Sequence, residues 1–205
     1  MITVYHASPC PFGRKVLAVL FEKNLDHEIH KMSFPKKDHE SPEYLKINPN
    51  GELPALIDEG FTVYESTAIA EYLEDEYPEP RLMPEDSETR AKVRMIDDYC
   101  DLHVAGGLGK HFKKVLLEKS GTISAEDKHE MVEVFKILRV FMGKGPYLAG
   151  KSFTIADCAA MPYLATLEAL GLADVIASSG LAEYHQRVKG HRGYQGAAFE
   201  AATVS

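Results

Sequence analysis

The chain has 205 residues, of which 45% are hydrophobic and 26% charged, and its formal net charge is −8. This length predicts one or two domains with enough residues to bury a sizeable core. The surplus of negative charge lies in residues 1–80, which hold 7 Lys or Arg against 15 Asp or Glu. Because no basic stripe runs along the chain, we expect no nucleic acid partner.

Three cysteines, Cys10, Cys100 and Cys158, are too few and too scattered for a disulfide framework or a zinc site. The nine histidines show no metal-binding spacing either, so we expect no metal. The start of the chain, MITVYHASP, lacks the basic and apolar regions of a signal peptide, and the apolar runs are too short for a bilayer. The sequence therefore predicts a soluble cytoplasmic protein without a membrane partner.

The first part of the chain predicts four strands and three helices. Strand patterns fall on 2–5, 26–31, 55–57 and 61–64, and helical patterns on 12–23, after Ser41-Pro42, and on 66–77. The parallel βαβ pair followed by a hairpin predicts one mixed four-stranded sheet in the order βαβ-α-ββα.

The second part predicts helices only, after a proline-rich linker at 79–86. One helix opens at Ser87, one runs from Ser124 to about Met142, one opens at Thr154, and one covers 181–188. The glycines at 106, 107 and 109 are expected to bend or interrupt the first of these helices. We therefore predict an α+β domain at 1–78 and an all-α domain at 87–205.

Three motifs in this order resemble the cytosolic glutathione transferase superfamily, and the resemblance covers residues 2–192. They are Ser8-Pro-Cys-Pro-Phe12, then Asn48-Pro-Asn-Gly-Glu-Leu-Pro-Ala-Leu56 with Glu65-Ser66, and Phe153-Thr-Ile-Ala-Asp157. The resemblance implies a thioredoxin-like N-terminal domain that binds glutathione and a helical C-terminal domain that helps bind a second substrate. The last motif reads as a helix cap that supports folding rather than catalysis.

Glu65 and Ser66 lie at the start of a predicted helix, where free backbone N–H groups can bind a carboxylate. The resemblance implies that Ser66 receives the α-carboxylate of the γ-glutamyl group and that Glu65 binds its amine. The alternative is that Ser66 is only the N-cap of the helix. For Leu53-Pro54, the resemblance implies a cis peptide that turns the Leu53 backbone toward the cysteinyl part of glutathione.

Cys10 lies at the start of the first helix, where the helix dipole lowers the pKa of a thiol. Its motif resembles the omega-class and beta-like bacterial transferases, in which the cysteine is catalytic. Since Cys10 has no partner cysteine in a CxxC pair, a mixed disulfide would need a second glutathione to resolve it. Ser8 is the competing catalytic residue, because a hydroxyl at this turn could hydrogen-bond the glutathione thiolate.

Other assignments rest on the resemblance alone. Lys37 and His39 are candidates for the glycyl carboxylate of glutathione, with a solvated charge run as the alternative. The candidates for the second-substrate pocket are Phe12, Tyr99, His103 and Lys110.

Two reactions remain open: conjugation of glutathione to a small apolar electrophile, as in detoxification, and thiol transfer through Cys10. A non-enzymatic interaction protein, like the stringent-starvation adaptor, is the alternative class. The resemblance also implies a homodimer, in which Asp97, Asp98 or Asp101 reaches the glutathione amine of the partner subunit.

Overall fold

The computed structural model describes residues 1–112 and 122–198, without the side chains of Lys110 and Phe112. Its first part contains four strands: β1 (Ile2–His6), β2 (His27–Lys31), β3 (Ala55–Asp58) and β4 (Phe61–Tyr64). The helices of this part are α1 (Pro11–Glu22), a 3₁₀ turn (Asp38–Glu40), α2 (Pro42–Leu45) and α3 (Ser66–Glu76).

The strands form one sheet in the order β2-β1-β3-β4. Strand β1 is parallel to β2 and antiparallel to β3, and β3 and β4 form the hairpin. The predicted mixed sheet is confirmed. Ile2, Val4 and His6 are buried while the residues between them are half-exposed, so β1 follows the period-2 alternation of a half-buried strand.

The second part is helical, as predicted. It contains α4 (Ser87–Tyr99), a π-helical segment (Cys100–Val104), α5 (Ala105–Phe112), α6 (Ala125–Met142), α7 (Ile155–Ala169), α8 (Ala173–Ser178), α9 (Ala182–Val188) and α10 (Gly193–Ala197). The capping box at Ser124 is confirmed, because Ser124 and Asp127 each accept the other's backbone N–H. Among the described residues, no helix is long and apolar enough to cross a membrane.

The expectation for the glycines at 106, 107 and 109 is wrong. They lie inside the regular helix α5, and the irregular turn precedes them at Cys100–Val104. A π-helical turn inserts one extra residue, which rotates the helix faces that follow it. Helices α8 and α10 were not predicted, because both are short and weakly patterned.

Helix α1 lies at the centre of the molecule and packs against α3, α7 and α10. Its residues 13–20 are all buried, including two cations. Gly196 of α10 approaches α1 so closely that a Cβ there would lie 2.5 Å from the Leu17 carbonyl carbon. The helix that begins beside Cys10 is therefore held on several sides, which fixes the position of its first turn.

Candidate functional site

A cavity of about 870 Å³ opens where the starts of α1 and α3 meet the α4–α5 segment. Residues 9–12, 51–54 and 65–67 line it from the sheet-containing part of the chain. Asp98, Asp101, Leu102, Ala105 and Gly109 line it from the helical part. Arg14, Phe34, His39, Asn48 and Tyr163 complete the lining. The cavity thus brings most of the predicted binding residues together.

The start of α3 forms one wall. Glu65 is the N-cap residue, with φ 71° and ψ 116°, and within the described structure its side chain makes no capping hydrogen bond. Ser66 is the first helical residue and is buried, so the alternative that Ser66 is only the N-cap is wrong. A non-glycine residue with positive φ is uncommon and is often found at a functional site. The first N–H groups of α3 are open to a ligand.

The start of α1 forms a second wall. Cys10 is the N-cap of α1, as predicted, and is 6% exposed. Its thiol donates a hydrogen bond to the Leu53 carbonyl at 3.4 Å. Burial raises the pKa of the Cys10 thiol, although hydrogen bonds from the Gly13 and Phe12 backbone oppose the shift. The expected low pKa is therefore wrong for the ligand-free protein, because the loss of hydration outweighs the helix start.

The loop before β3 supplies Leu53 and Pro54, and the peptide bond between them is cis, as predicted. Two side chains fasten this loop. The Tyr44 hydroxyl donates to the Glu52 carbonyl at 2.6 Å, and the Asn48 amide donates to the same oxygen at 2.8 Å. The Leu53 backbone is therefore presented to the cavity by a fixed loop.

Arg14 lines the cavity but is only 2% exposed. It donates to the Pro162 carbonyl at 2.9 Å, the Ala197 carbonyl at 3.1 Å and the Thr166 hydroxyl at 2.8 Å. Burial lowers the pKa of Arg14 to about 10. The sequence interpretation missed Arg14, since a cation in an amphipathic helix is ordinarily exposed.

A second buried cation, Lys15, ties three elements together beside the cavity. Its ammonium lies 2.5 Å from Asp97 and 2.8 Å from Asp101, and it donates to the Thr67 hydroxyl at 2.9 Å. Asp97 is fully enclosed in this cluster, so it is not available to a partner subunit's ligand. Asp98 and Asp101 line this chain's own cavity.

Several predicted residues lie away from the cavity. Among the described lining residues there is no Ser8 and no Lys37, and Lys37 pairs instead with Glu40 on the surface. The Tyr99 hydroxyl donates to the Val134 carbonyl, and its ring stacks on His103. Tyr99 and His103 each directly follow a cavity-lining residue and so lie beside the lining face of the helix. Phe12 and His39 do line the cavity.

Two further predictions concern Lys110 and metal binding. The side chain of Lys110 lies outside the described part of the chain. Within residues 1–112 and 122–198, no group of three or more His, Cys, Asp or Glu is placed to hold a metal ion. The three cysteines are free and buried.

Comparison with known proteins gives matches along most of the chain. Residues 9–76 match the family model of the glutathione S-transferase N-terminal domain, and residues 103–191 match that of the C-terminal domain. Mouse maleylacetoacetate isomerase is 31% identical over 80% of this chain and 76% of its own length. Drosophila melanogaster glutathione S-transferase D7 is 29% identical over 82% of this chain and 75% of its own.

A third relative is the stringent starvation protein A homolog of Coxiella burnetii, which is 28% identical over 84% of this chain and 78% of its own. Among solved structures, a delta-class glutathione transferase of Nilaparvata lugens superposes with a TM-score of 0.84 at 26% identity. That match covers 98% of this chain and 95% of the other. The relatives thus include an isomerase and a stringent starvation protein as well as transferases.

Proposed function

Because this chain belongs to the glutathione S-transferase family, we propose that it is an enzyme that binds glutathione and conjugates it to an electrophile. The observation that carries the proposal is a single cavity that joins the open start of α3 to the start of α1. One end of this cavity suits a carboxylate and an amine, and the other lies beside Cys10 at the start of α1.

In this proposal the γ-glutamyl carboxylate of glutathione accepts hydrogen bonds at the start of α3 from Ser66. Glu65 receives the neighbouring ammonium, and the Leu53 backbone pairs with the cysteinyl residue as an added strand would. His39 meets the glycyl carboxylate, since it lines the cavity while Lys37 does not. This arrangement places the glutathione sulfur toward Cys10.

Conjugation then needs the thiolate of glutathione. The thiol gives its proton to solvent, and the sulfur attacks the electrophilic carbon. A thioether bond forms while the leaving group departs with its electron pair. The neutral Cys10 thiol stabilises the thiolate as a hydrogen-bond donor, once the glutathione cysteinyl N–H has taken the Leu53 carbonyl that Cys10 now uses. A raised pKa suits Cys10 to this role because it stays protonated.

Thiol transfer is the second candidate, because backbone N–H groups of Phe12 and Gly13 point at the Cys10 sulfur. A glutathione cysteinyl N–H bound to the Leu53 carbonyl would take the acceptor that Cys10 now uses. The released thiol would give its proton to solvent, and the resulting thiolate would attack a disulfide, forming a mixed disulfide and expelling a thiolate. A second glutathione would then attack the mixed disulfide and regenerate Cys10.

The pH dependence of Cys10 alkylation separates the two reactions. We expect iodoacetamide to label Cys10 slowly at pH 7 in the ligand-free protein. The rate should rise only above the free-cysteine pKa of about 8.5, since burial raises the pKa. Mass spectrometry localises the label, with Cys100 and Cys158 as internal references. Conjugation should survive Cys10→Ser; rapid labelling at pH 6–7 together with loss of all activity in Cys10→Ser would instead establish thiol transfer.

The adaptor alternative, favoured by the stringent starvation relative, predicts that glutathione does not bind. Titration calorimetry with glutathione tests it, and a complete lack of binding would remove the enzymatic proposal. The homodimer and the cytoplasmic location remain predictions, and light scattering would check the first.

A further inference from the structure

The glutathione contacts proposed above leave the α4–α5 side of the cavity unassigned. Each of Asp98, Asp101, Leu102, Ala105 and Gly109 lies three or four residues from another of the set, so they share one helix face. Phe12 and Phe34 line the same cavity from elsewhere in the chain. This side is therefore where a second substrate meets the protein.

The shape of this side suits an apolar ring. Leu102 is 70% exposed. Ala105 and Gly109 are the smallest residues on this side of the cavity, and no described heavy atom lies within 4 Å of a Cβ placed on Gly109. A flat ring can lie between this helix face and the phenyl rings of Phe12 and Phe34, where aromatic groups pack favourably.

Among the described residues that line the cavity, the charge left to face such a ligand is negative. Arg14 is 2% exposed and already donates to three acceptors, and the 19%-exposed carboxylate of Asp101 is paired with Lys15. Asp98 is exposed and has no ion pair among the described residues. Glu52 is also exposed on the lining, while Glu65 is assigned to the glutathione amine.

We propose that this cavity selects neutral or cationic aromatic electrophiles and discriminates against anionic ones, with Asp98 as the specificity-determining residue. The inference rests on the proposed conjugation of glutathione. A carboxylate within several ångströms of a charged group in a partly enclosed cavity changes affinity by about three- to tenfold. Such discrimination works as much by repelling the wrong ligand as by attracting the right one.

The test uses three chlorodinitroarenes that differ in charge: 1-chloro-2,4-dinitrobenzene, 4-chloro-3,5-dinitrobenzoate and a 4-chloro-3,5-dinitrobenzyl trimethylammonium salt. Each kcat/KM is divided by that compound's own rate with free glutathione, which removes differences in intrinsic reactivity. We expect the cation to exceed the anion in the wild type. Asp98→Asn should reduce the cation-to-anion ratio by about three- to tenfold, and 0.5 M salt should reduce it in the wild type.

The matched control is Asp75→Asn, which makes the same charge change at an exposed position on α3 away from the cavity. It should leave the ratio unchanged. An equal or anion-favouring ratio in the wild type, or a ratio that does not respond to Asp98→Asn, would overturn the inference while leaving conjugation standing.

A binding experiment keeps the inference separate from the proposed function. Calorimetry with the dechlorinated arenes, in the presence of S-methylglutathione, measures the charge preference without turnover. A protein that binds these compounds with the same cation preference but shows no conjugation refutes the proposed reaction and supports the charge selection. Equal binding of the cationic and anionic arenes refutes the charge selection.

Discussion

The starts of α3 and α7 are both helix N-termini, but the first has no side-chain cap and the second is capped by a carboxylate. At α3, Glu65 has a positive φ, its side chain makes no capping bond in the described structure, and Ser66 faces the cavity. At α7, the first turn is closed by a carboxylate. Open and closed helix starts therefore distinguish the proposed ligand site from a structural support.

The closed start depends on Asp157, which is completely buried. It accepts the Thr154 N–H at 2.8 Å, the Leu148 N–H at 3.0 Å and the Tyr184 hydroxyl at 2.9 Å. Burial raises the pKa of Asp157 to about 6 against the opposing effect of these donors. At neutral pH the group is therefore ionised and satisfied by its own chain, which leaves it no capacity for a ligand.

The largest expected effect comes from removing the carboxylate that caps the start of α7. Asp157→Ala leaves these buried donors, and the Thr154 hydroxyl, without their acceptor, so we expect the free energy of unfolding to fall by about 3–5 kcal/mol. Urea denaturation measures this loss. The remaining folded protein should bind glutathione with unchanged affinity. A loss below about 1 kcal/mol would contradict the structural role given to Asp157.

The second effect concerns the open start. Ser66→Ala removes a donor to the bound carboxylate, so glutathione affinity should fall by about ten- to a hundredfold, or about 1.5–3 kcal/mol. Titration calorimetry measures the affinity. The matched control is Ser124→Ala at the start of α6, where Ser124 accepts the Asp127 N–H. This control should cost about 1 kcal/mol of stability and leave glutathione affinity unchanged; equal affinities in the two variants would refute the α3 site.

The smallest effect concerns the backbone of Glu65. Its positive φ is a conformation that glycine adopts more easily, so Glu65→Gly should leave stability unchanged or raise it by up to about 1 kcal/mol. The same variant should weaken glutathione binding, because it removes the carboxylate proposed for the amine. Thermal unfolding and calorimetry on one preparation test both effects. A loss of stability with full binding would reverse the interpretation of this residue.

These contrasts also show what the sequence could and could not predict. The sheet, the main helix starts and the residues around Leu53, Glu65 and Ser66 follow from local patterns and the family resemblance. The burial of Cys10 does not, because it depends on Leu53, which is 43 residues away in the chain. The partners of Arg14 lie 148–183 residues away, so no local window could predict that it is buried.

Two of the second-substrate candidates are absent from the described cavity lining for a different reason. Tyr99 and His103 are on the predicted helix but not on the face that lines the cavity. The lining residues between 98 and 109 keep helical spacing, but which face of this helix turns to the cavity depends on its packing against α6 and α7. The face could not have been assigned from spacing alone.

Helix α1 limits how modular this chain is. Its Arg14 and Lys15 belong to the first domain by sequence, yet most of their acceptors lie on α4, the π-helical segment, α7 and α10. Cutting the chain at the linker would leave Arg14 and Lys15 without most of their partners, beside an uncovered apolar surface. The first domain is therefore not portable: grafting it onto another protein would require transferring the helices that supply the partners of Arg14 and Lys15 as well.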